Sequence, residues 1–181
     1  MAETKRLEGY IEKWHVKKTN WSGKQGLEVF GVSNVNGITT TSHVKSKDLS
    51  SYLVIEPNTF AYNPYRINVG SIARNEENKP VIVSPMYVVF SPKQSISPAY
   101  LECFFKSSFF SKQMKSRLEG SVRQCLTFDG LSSIPIKKFS TNEQQNFINL
   151  VCKLKNVEQI ESQILEKFKE GKNYLLNSLF I

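Results

Sequence analysis

Residues 60–90, FAYNPYRINVGSIARNEENKPVIVSPMYVVF, decide the fold. The stretch reads as strand, turn, strand, loop, strand. Phe60, Tyr62, Ile67, Val69 and Ile72 are β-favouring apolar positions, punctuated by turns at Asn63-Pro64 and at Asn68 to Gly70. Asn78-Lys79-Pro80 closes a charged loop before Val81-Ile82-Val83; Pro85 stops that run and Met86 to Phe90 starts another. Asn63, Arg66, Asn68, Ser71, Arg74 and Asn75 alternate with the apolar residues. Forked and amide side chains of this kind suit base edges and phosphates. They equally suit a solvated sheet face on which Asn serves the turns.

Upstream, Met1 to Lys13 places Leu7, Tyr10, Ile11 and Trp14 roughly on one helical side, so a short amphipathic lead-in is expected. Lys17, Lys18 and Lys24, with Asn20 and Trp21 between them, form a basic loop carrying an aromatic. Gly26 to Val32 reads as a strand by alternation, Asn36-Gly37 is a hairpin signal, and Thr39 to Thr41 continue a return strand. His43 to Asp48 is a second lysine-bearing loop, and Tyr52 to Ile55 is the strand that enters the central stretch.

Downstream of Phe90 the period changes from two to about 3.6. Ser97-Pro98 combines an N-cap residue with Pro at the first helical position. Tyr100, Leu101, Phe104 and Phe105 recur at helical spacing, a second helical piece runs from Phe109 through Met114 to Leu118, and Gly120 ends it. Lys106, Lys112 and Lys115 interrupt the aromatic pairs, so these helices pack on the sheet rather than on a membrane. Leu131 to Ile136 is expected as a further strand.

Ser140-Thr141-Asn142-Glu143 is a capping box. From there one helical pattern runs to about Leu179. Phe147, Leu154, Glu161, Phe168 and Leu175 fall at one heptad position, and Leu150, Val157, Ile164 and Gly171 at its partner. This is a coiled-coil seam with two flaws, Glu161 and Gly171. Such a helix is ~58 Å long at 1.5 Å per residue, whereas the domain before it is about 30–35 Å across. Part of the stripe therefore has to meet another helix, unless the chain folds back at Gly171 onto its own domain. The fold class is α+β: a mixed, mostly antiparallel sheet domain with short packed helices over residues 1–139, followed by one long coiled-coil-like helix over 140–181.

The net charge of +8 points to an acidic partner, and its distribution is more informative than its size. Residues 1–139 carry 19 Lys and Arg against 11 Asp and Glu, whereas residues 140–181 carry five of each. Confinement of the excess to one segment favours nucleic acid. Cys103, Cys125 and Cys152 are odd in number and widely spaced, with no CxxC, which argues against a zinc site or a disulfide framework and for a reduced, cytoplasmic setting. The first residues lack the apolar run of a signal peptide, and no stretch approaches ~20 uninterrupted apolar residues.

Catalytic chemistry is expected to be absent. There is no Gly-rich phosphate loop and no GxSxG, and His15 and His43 are too isolated for HExxH or a triad. Asn63-Pro64-Tyr65 lacks the second Pro of an amino-methyltransferase motif, and no glycine-rich methyl-donor site precedes it. Glu77-Asn78-Lys79 matches the end of a nuclease Glu-x-Lys pattern, but Asp48, the upstream Asp nearest to it, sits in a different loop.

Taken in order, the chain resembles a target-recognition domain of a type I restriction-modification specificity subunit. The resemblance rests on Phe60 to Ile72, on Val83 to Phe90, and on Gly120-Ser121-Val122-Arg123 leading to Leu131 through Ile136, which runs directly into the capped helix with Glu143-Gln144-Gln145. It covers about Gly26 to the C-terminus. A full subunit of that family has two recognition domains and two long helices that pair antiparallel, so this chain resembles a half-size subunit. The resemblance implies a non-catalytic protein without cofactor or metal. It implies double-stranded DNA as ligand, and as partners a methyltransferase subunit, a motor-nuclease subunit, and an identical or different half-subunit. It makes residues 1–139 the DNA target-recognition domain and 140–181 the dimerisation helix, with Phe147, Leu150, Leu154, Val157, Glu161, Ile164, Phe168 and Leu175 on its seam. By side-chain chemistry Lys17, Lys18, Lys24, Lys45, Lys47 and Arg123 are candidates for phosphate, and Asn34, Asn36, Arg66 and Arg74 for base edges. Two other classes fit the same residues: a helical scaffold with a merely basic domain, and the recognition-domain fragment of a fused restriction-methylation enzyme.

Overall fold

The computed structural model describes residues 4–23, 26–33, 37–41, 48–120 and 124–180. β1 (Thr4–Arg6) and β2 (Ile11–Lys13) flank a 3-10 turn at Leu7–Gly9, and a second 3-10 turn follows at Lys18–Asn20. β3 (Phe30–Ser33) and β4 (Gly37–Thr40) form a hairpin, and β5 (Leu53–Ile55) leads into β6 (Phe60–Tyr62). β7 (Ile72–Arg74), β8 (Val81–Val83) and β9 (Val88–Pro92) complete the 60–90 stretch. Then come α1 (Pro98–Phe105), α2 (Ser108–Lys115), α3 (Phe128–Ser132), β10 (Pro135–Lys137) and α4 (Thr141–Leu179). Antiparallel sheets, short helices and one long helix make the α+β class expected from the sequence. The chain divides into two compact units, Met1–Thr141 and Asn142–Ile181.

The first unit is organised on the central stretch. β6 lies between β7 and β9, with β2 on the far side of β9, giving the sheet order β2-β9-β6-β7. Its register sets Phe60 opposite both Arg74 and Phe90. The Phe60 and Phe90 rings stack at 5.3 Å, and Phe105 of α1 meets both edge-on. Such cross-strand aromatic pairs supply roughly 0.5–1.5 kcal/mol beyond the area they bury. Leu101, Leu126, Leu131, Ile134 and Ile136 close the core without exposure to solvent. β5 and β8 form a separate pair that is covered on both faces. Leu53, Ile55, Val81 and Val83 face one cluster, while Val54 and Ile82 face a second that includes Trp21. Burial on two faces is why Val81-Ile82-Val83 is an unbroken apolar run rather than an alternating one.

Four local expectations are corrected. The amphipathic lead-in over Met1 to Lys13 is not helical where it is described: β1 pairs with β10 and β2 with β9. Leu7, Tyr10 and Ile11 are buried, but through a 3-10 kink between two strands whose partners lie far along the chain. Ile67 and Val69 do not continue a sheet. They lie in a 3-10 turn ended by Gly70 at φ 86°, a left-handed cap that glycine adopts without steric cost. The strand expected over Leu131 to Ile136 begins as α3, because the Thr127 hydroxyl accepts from the Gly130 amide at 3.1 Å and caps a helical turn; only Pro135–Lys137 is extended. The strand expected from Gly26 starts at Phe30, preceded by a single bridge from Val29 to Ile82.

The second unit is α4, 39 residues in one helix that passes through Gly171 without a break. Its apolar seam is open: Leu150, Leu154, Val157, Ile164, Phe168 and Leu175 are all between 48% and 73% exposed. No described helix is long and apolar enough to cross a membrane.

Candidate nucleic-acid interface

The polar residues of the central stretch separate into those that build it and those that project from it. Asn75 is buried: its amide donates to the carbonyls of Ile55 and Lys79 at 3.0 and 3.1 Å, and its oxygen accepts from the Glu77 amide. Asn63 is buried as well and accepts from the Tyr65 amide at 3.0 Å, the geometry of an Asx turn. These two asparagines are scaffolding. Tyr65 and Arg66, which follow the Asn63-Pro64 turn, are exposed.

The Arg66 backbone anchors its own loop. Its amide donates to the Asn63 carbonyl, and its carbonyl accepts from Val69 and Ser71. Its side chain thus projects from a rigid turn, and among the described residues none accepts a hydrogen bond from its guanidinium. Tyr65, at 42% exposed, offers an aromatic face beside it. Sequence reading singled out Arg66 but not Tyr65; the signal for it was the Asn-Pro turn, which forces the next residue outward.

Two further candidate segments are rooted on the same hairpin. The Ser71 hydroxyl donates to the Val32 carbonyl at 3.2 Å, which fixes the β3–β4 hairpin against it. Gly37, at φ 67°, packs beside Ala73. Asn34 and Asn36 occupy the connection of that hairpin and lie outside the described residues. On the other side the Leu126 amide donates to the Pro64 carbonyl at 3.0 Å, and the Tyr62 hydroxyl donates to the Leu126 carbonyl at 3.1 Å. Burial, with Cys125 and Asp129 nearby, pushes that phenol far above its usual range, so it stays a donor at any working pH. Arg123, three positions before Leu126, lies outside the described residues.

Lys17 and Lys18 form a second group. Lys17 is exposed and bridges to Leu53; the Lys18 amide donates to the Tyr52 carbonyl at 2.8 Å. Lys18 and Thr19 line a surface groove together with Asp48, Leu49 and Ser50. The backbone amide and hydroxyl of Ser50, together with the Lys18 charge, hold the Asp48 carboxyl below its usual range. Asp48 directly follows Lys45 and Lys47, which with Lys24 lie outside the described residues. The structure therefore brings the first basic loop to the end of the second.

Arg74 is placed differently from the other candidates. Its Nε donates to Glu102 Oε2 at 3.0 Å, Nη1 to Asn58 at 2.8 Å and Nη2 to Glu76 at 2.8 Å. Glu102 also binds Lys106. Burial raises the Glu102 carboxyl, and the hydrogen bond and charge of Lys106, with hydrogen bonds to Glu76 and Arg74, outweigh it, so the net shift is downward. This network forms one wall of an open cleft of about 660 Å³ whose other wall includes Ser33, Gly37 and Thr39 of the β3–β4 hairpin. Among the described residues no group of three His, Cys, Asp or Glu is placed to hold a metal ion.

No protein-family model and no curated protein matches the chain. Its structure is similar to solved ones. The HsdS subunit from Thermoanaerobacter tengcongensis superposes with a TM-score of 0.65 at 17% identity, over 93% of this chain and 46% of that one. A chain from a structure of the complex assembly and conformational transition of the type I R-M system gives 0.55 at 16% identity, over 85% and 38%. The type-I restriction-modification system S subunit from M. genitalium gives 0.52 at 10% identity, over 86% and 39%. The chain thus has the fold of a type I specificity subunit along most of its length and spans less than half the length of each of these proteins.

Proposed function

We propose that this chain is a half-size specificity subunit of a type I restriction-modification system. It reads double-stranded DNA and directs catalysis that other subunits perform. The observation that carries the specificity-subunit reading is the fold similarity, which extends over 93% of this chain. It is supported by the open apolar seam on α4 and by the basic excess confined to the first 139 residues.

In this reading two copies pair through residues 140–181 and present two recognition domains, each built from residues 1–139, to one duplex. Identical domains related by a two-fold axis read an inverted repeat with an unread spacer. The ~58 Å helix limits the separation it imposes to between one and two DNA turns of ~34 Å. Arg66 and Tyr65, with Asn34 and Asn36, approach base edges; Lys17, Lys18, Lys24, Lys45, Lys47 and Arg123 neutralise phosphates. Arg74 reaches a base only by releasing Glu76, its exposed partner. The chain contributes no catalytic group: a methyltransferase subunit modifies adenine, and a motor-nuclease subunit cleaves unmodified sites.

The test is to co-express the chain with the modification subunit of its own host and to map methylated adenines across the genome. A new bipartite inverted repeat is the expected result. An asymmetric motif would assign the second half-site to a different half-subunit. No new methylation from a complex shown to assemble would overturn the reading.

A further inference from the structure

The flaws of the α4 seam, Glu161 and Gly171, have so far no role. Both become intelligible once the pairing of α4 is given a register. We infer that α4 pairs with α4 of a second copy, antiparallel, about a two-fold axis that passes between Ser162 and Gln163; this rests on the self-pairing in the proposed function.

In an antiparallel pair each residue of one seam column faces one of the other column in the partner helix. An axis between Ser162 and Gln163 sets Leu150 against the partner's Leu175, Val157 against the partner's Phe168, and Leu154 against the partner's Gly171. The large side chains meet small ones: Phe168 faces Val157, and Leu154 faces a residue beside which a Cβ would find open space. Glu161 faces the partner's Ile164, where its methylene stem covers the isoleucine and its carboxylate stays in water. The register extends from Phe147 to Ser178 and so covers the exposed seam residues from Phe147 to Leu175.

Charge on the flanks of the seam separates this register from its neighbours. Here Lys153 lies beside the partner's Tyr174, Glu158 beside the partner's Leu165, and Ile160 beside the partner's Lys167, so no like charges oppose. Moving the axis to Gln159 also gives Gly171 a large partner, Phe147, but it sets Glu158 against its own symmetry mate and Lys153 against the partner's Lys167. Moving it to Glu166 opposes Lys167 with its mate and leaves Phe147 and Leu150 uncovered. An axis between Lys155 and Asn156 sets Phe168 against the partner's Glu143 and leaves Leu175 in water. Opposed like charges are destabilising at such positions, and uncovered apolar side chains forfeit the burial that a paired seam gives them.

Disulfide trapping in the full chain tests this, with the exposed Cys152 replaced by Ser. Val157→Cys combined with Phe168→Cys is expected to give a covalent dimer on mild oxidation, whereas Leu150→Cys combined with Phe168→Cys, matched to the axis at Gln159, stays monomeric on a non-reducing gel. Should the first variant fail to pair when reduced, Leu150→Cys with Leu175→Cys reports the same register. Trapping by the Leu150/Phe168 variant, or by none of them while the parent chain sediments as a dimer, overturns the register and leaves self-pairing intact. A parent chain that sediments as a monomer overturns self-pairing, and the register with it.

Discussion

Replacing Arg74 by Ala separates a residue that holds the domain together from one that reads DNA. The guanidinium spans three acceptors on three segments: Glu102 of α1, Glu76 after β7, and Asn58 before β6. The Arg74 and Glu102 side chains are each only 18% exposed, whereas Glu76 is 63% exposed. A charge-assisted hydrogen bond in a half-buried setting contributes about 1.5–3 kcal/mol, and the exposed Glu76 pair adds ~0–1 kcal/mol. Lys106 remains to neutralise Glu102, so the loss stays well short of that for a buried carboxylate left with no partner. The expected cost is therefore about 2–3 kcal/mol. With a urea dependence of roughly 1–3 kcal/mol/M for a domain of this size, the midpoint falls by ~1–2 M. Trp14 and Trp21 both lie in the first unit, and the Trp14 indole donates to the Val54 carbonyl at 3.1 Å. Tryptophan fluorescence therefore follows this unit without interference from α4. Arg74→Lys restores charge but not the fork and is expected to recover less than half of the loss. The reasoning is refuted if Arg74→Ala leaves the midpoint within ~0.3 M of the parent while binding selection shows altered sequence preference. That pair of results would mean that the guanidinium leaves its carboxylates for a base.

Two other outcomes follow from the charge arrangement. Lys17→Ala with Lys18→Ala is expected to weaken binding to all duplexes alike and to lower the salt slope by ~2, since each lost phosphate contact removes about 0.9; a change of sequence preference instead would place these lysines at bases. Glu102 has its carboxyl held below 4.5, so its contribution to stability is complete above that pH and is lost as pH falls through the lower folded value. Lys106→Met removes the strongest of the groups that lower it, so the acid limb of the urea midpoint against pH is expected to flatten; an unchanged limb would exclude Glu102 as its source.

The long-range frame of this fold was legible where one local signal coincided with the tertiary demand. The switch in period at Ser97-Pro98 marks the start of α1 because cap, proline and apolar spacing all agree there. The limits of α4 follow in the same way from the capping-box residues and from a heptad spacing that continues past Glu161 and Gly171. The segment around Leu7 was illegible for the opposite reason: its spacing fits a helical face, but β9 and β10, far along the chain, capture it as strands. At the candidate site the cations could be named from sequence, but not their commitments. Nothing near Arg74 in the sequence announces Glu102, which α1 delivers from 28 positions away. Asn75 and Arg66 have equally polar side chains and sit in one stretch, yet packing buries the first and leaves the second in water.

The pairing of β1 with β10 joins the first described strand of the first unit to its last. A ribosome makes β1 early and then has to release nearly the whole unit before the partner strand emerges, so the domain cannot be sealed from either end while it is being synthesised. Once Pro135–Lys137 is free the closure is complete, and the next segment to appear is α4. Each nascent chain thus finishes its first unit before the exposed apolar stripe of α4 is complete. The order of residues along the chain brings out that stripe only after the unit before it can close.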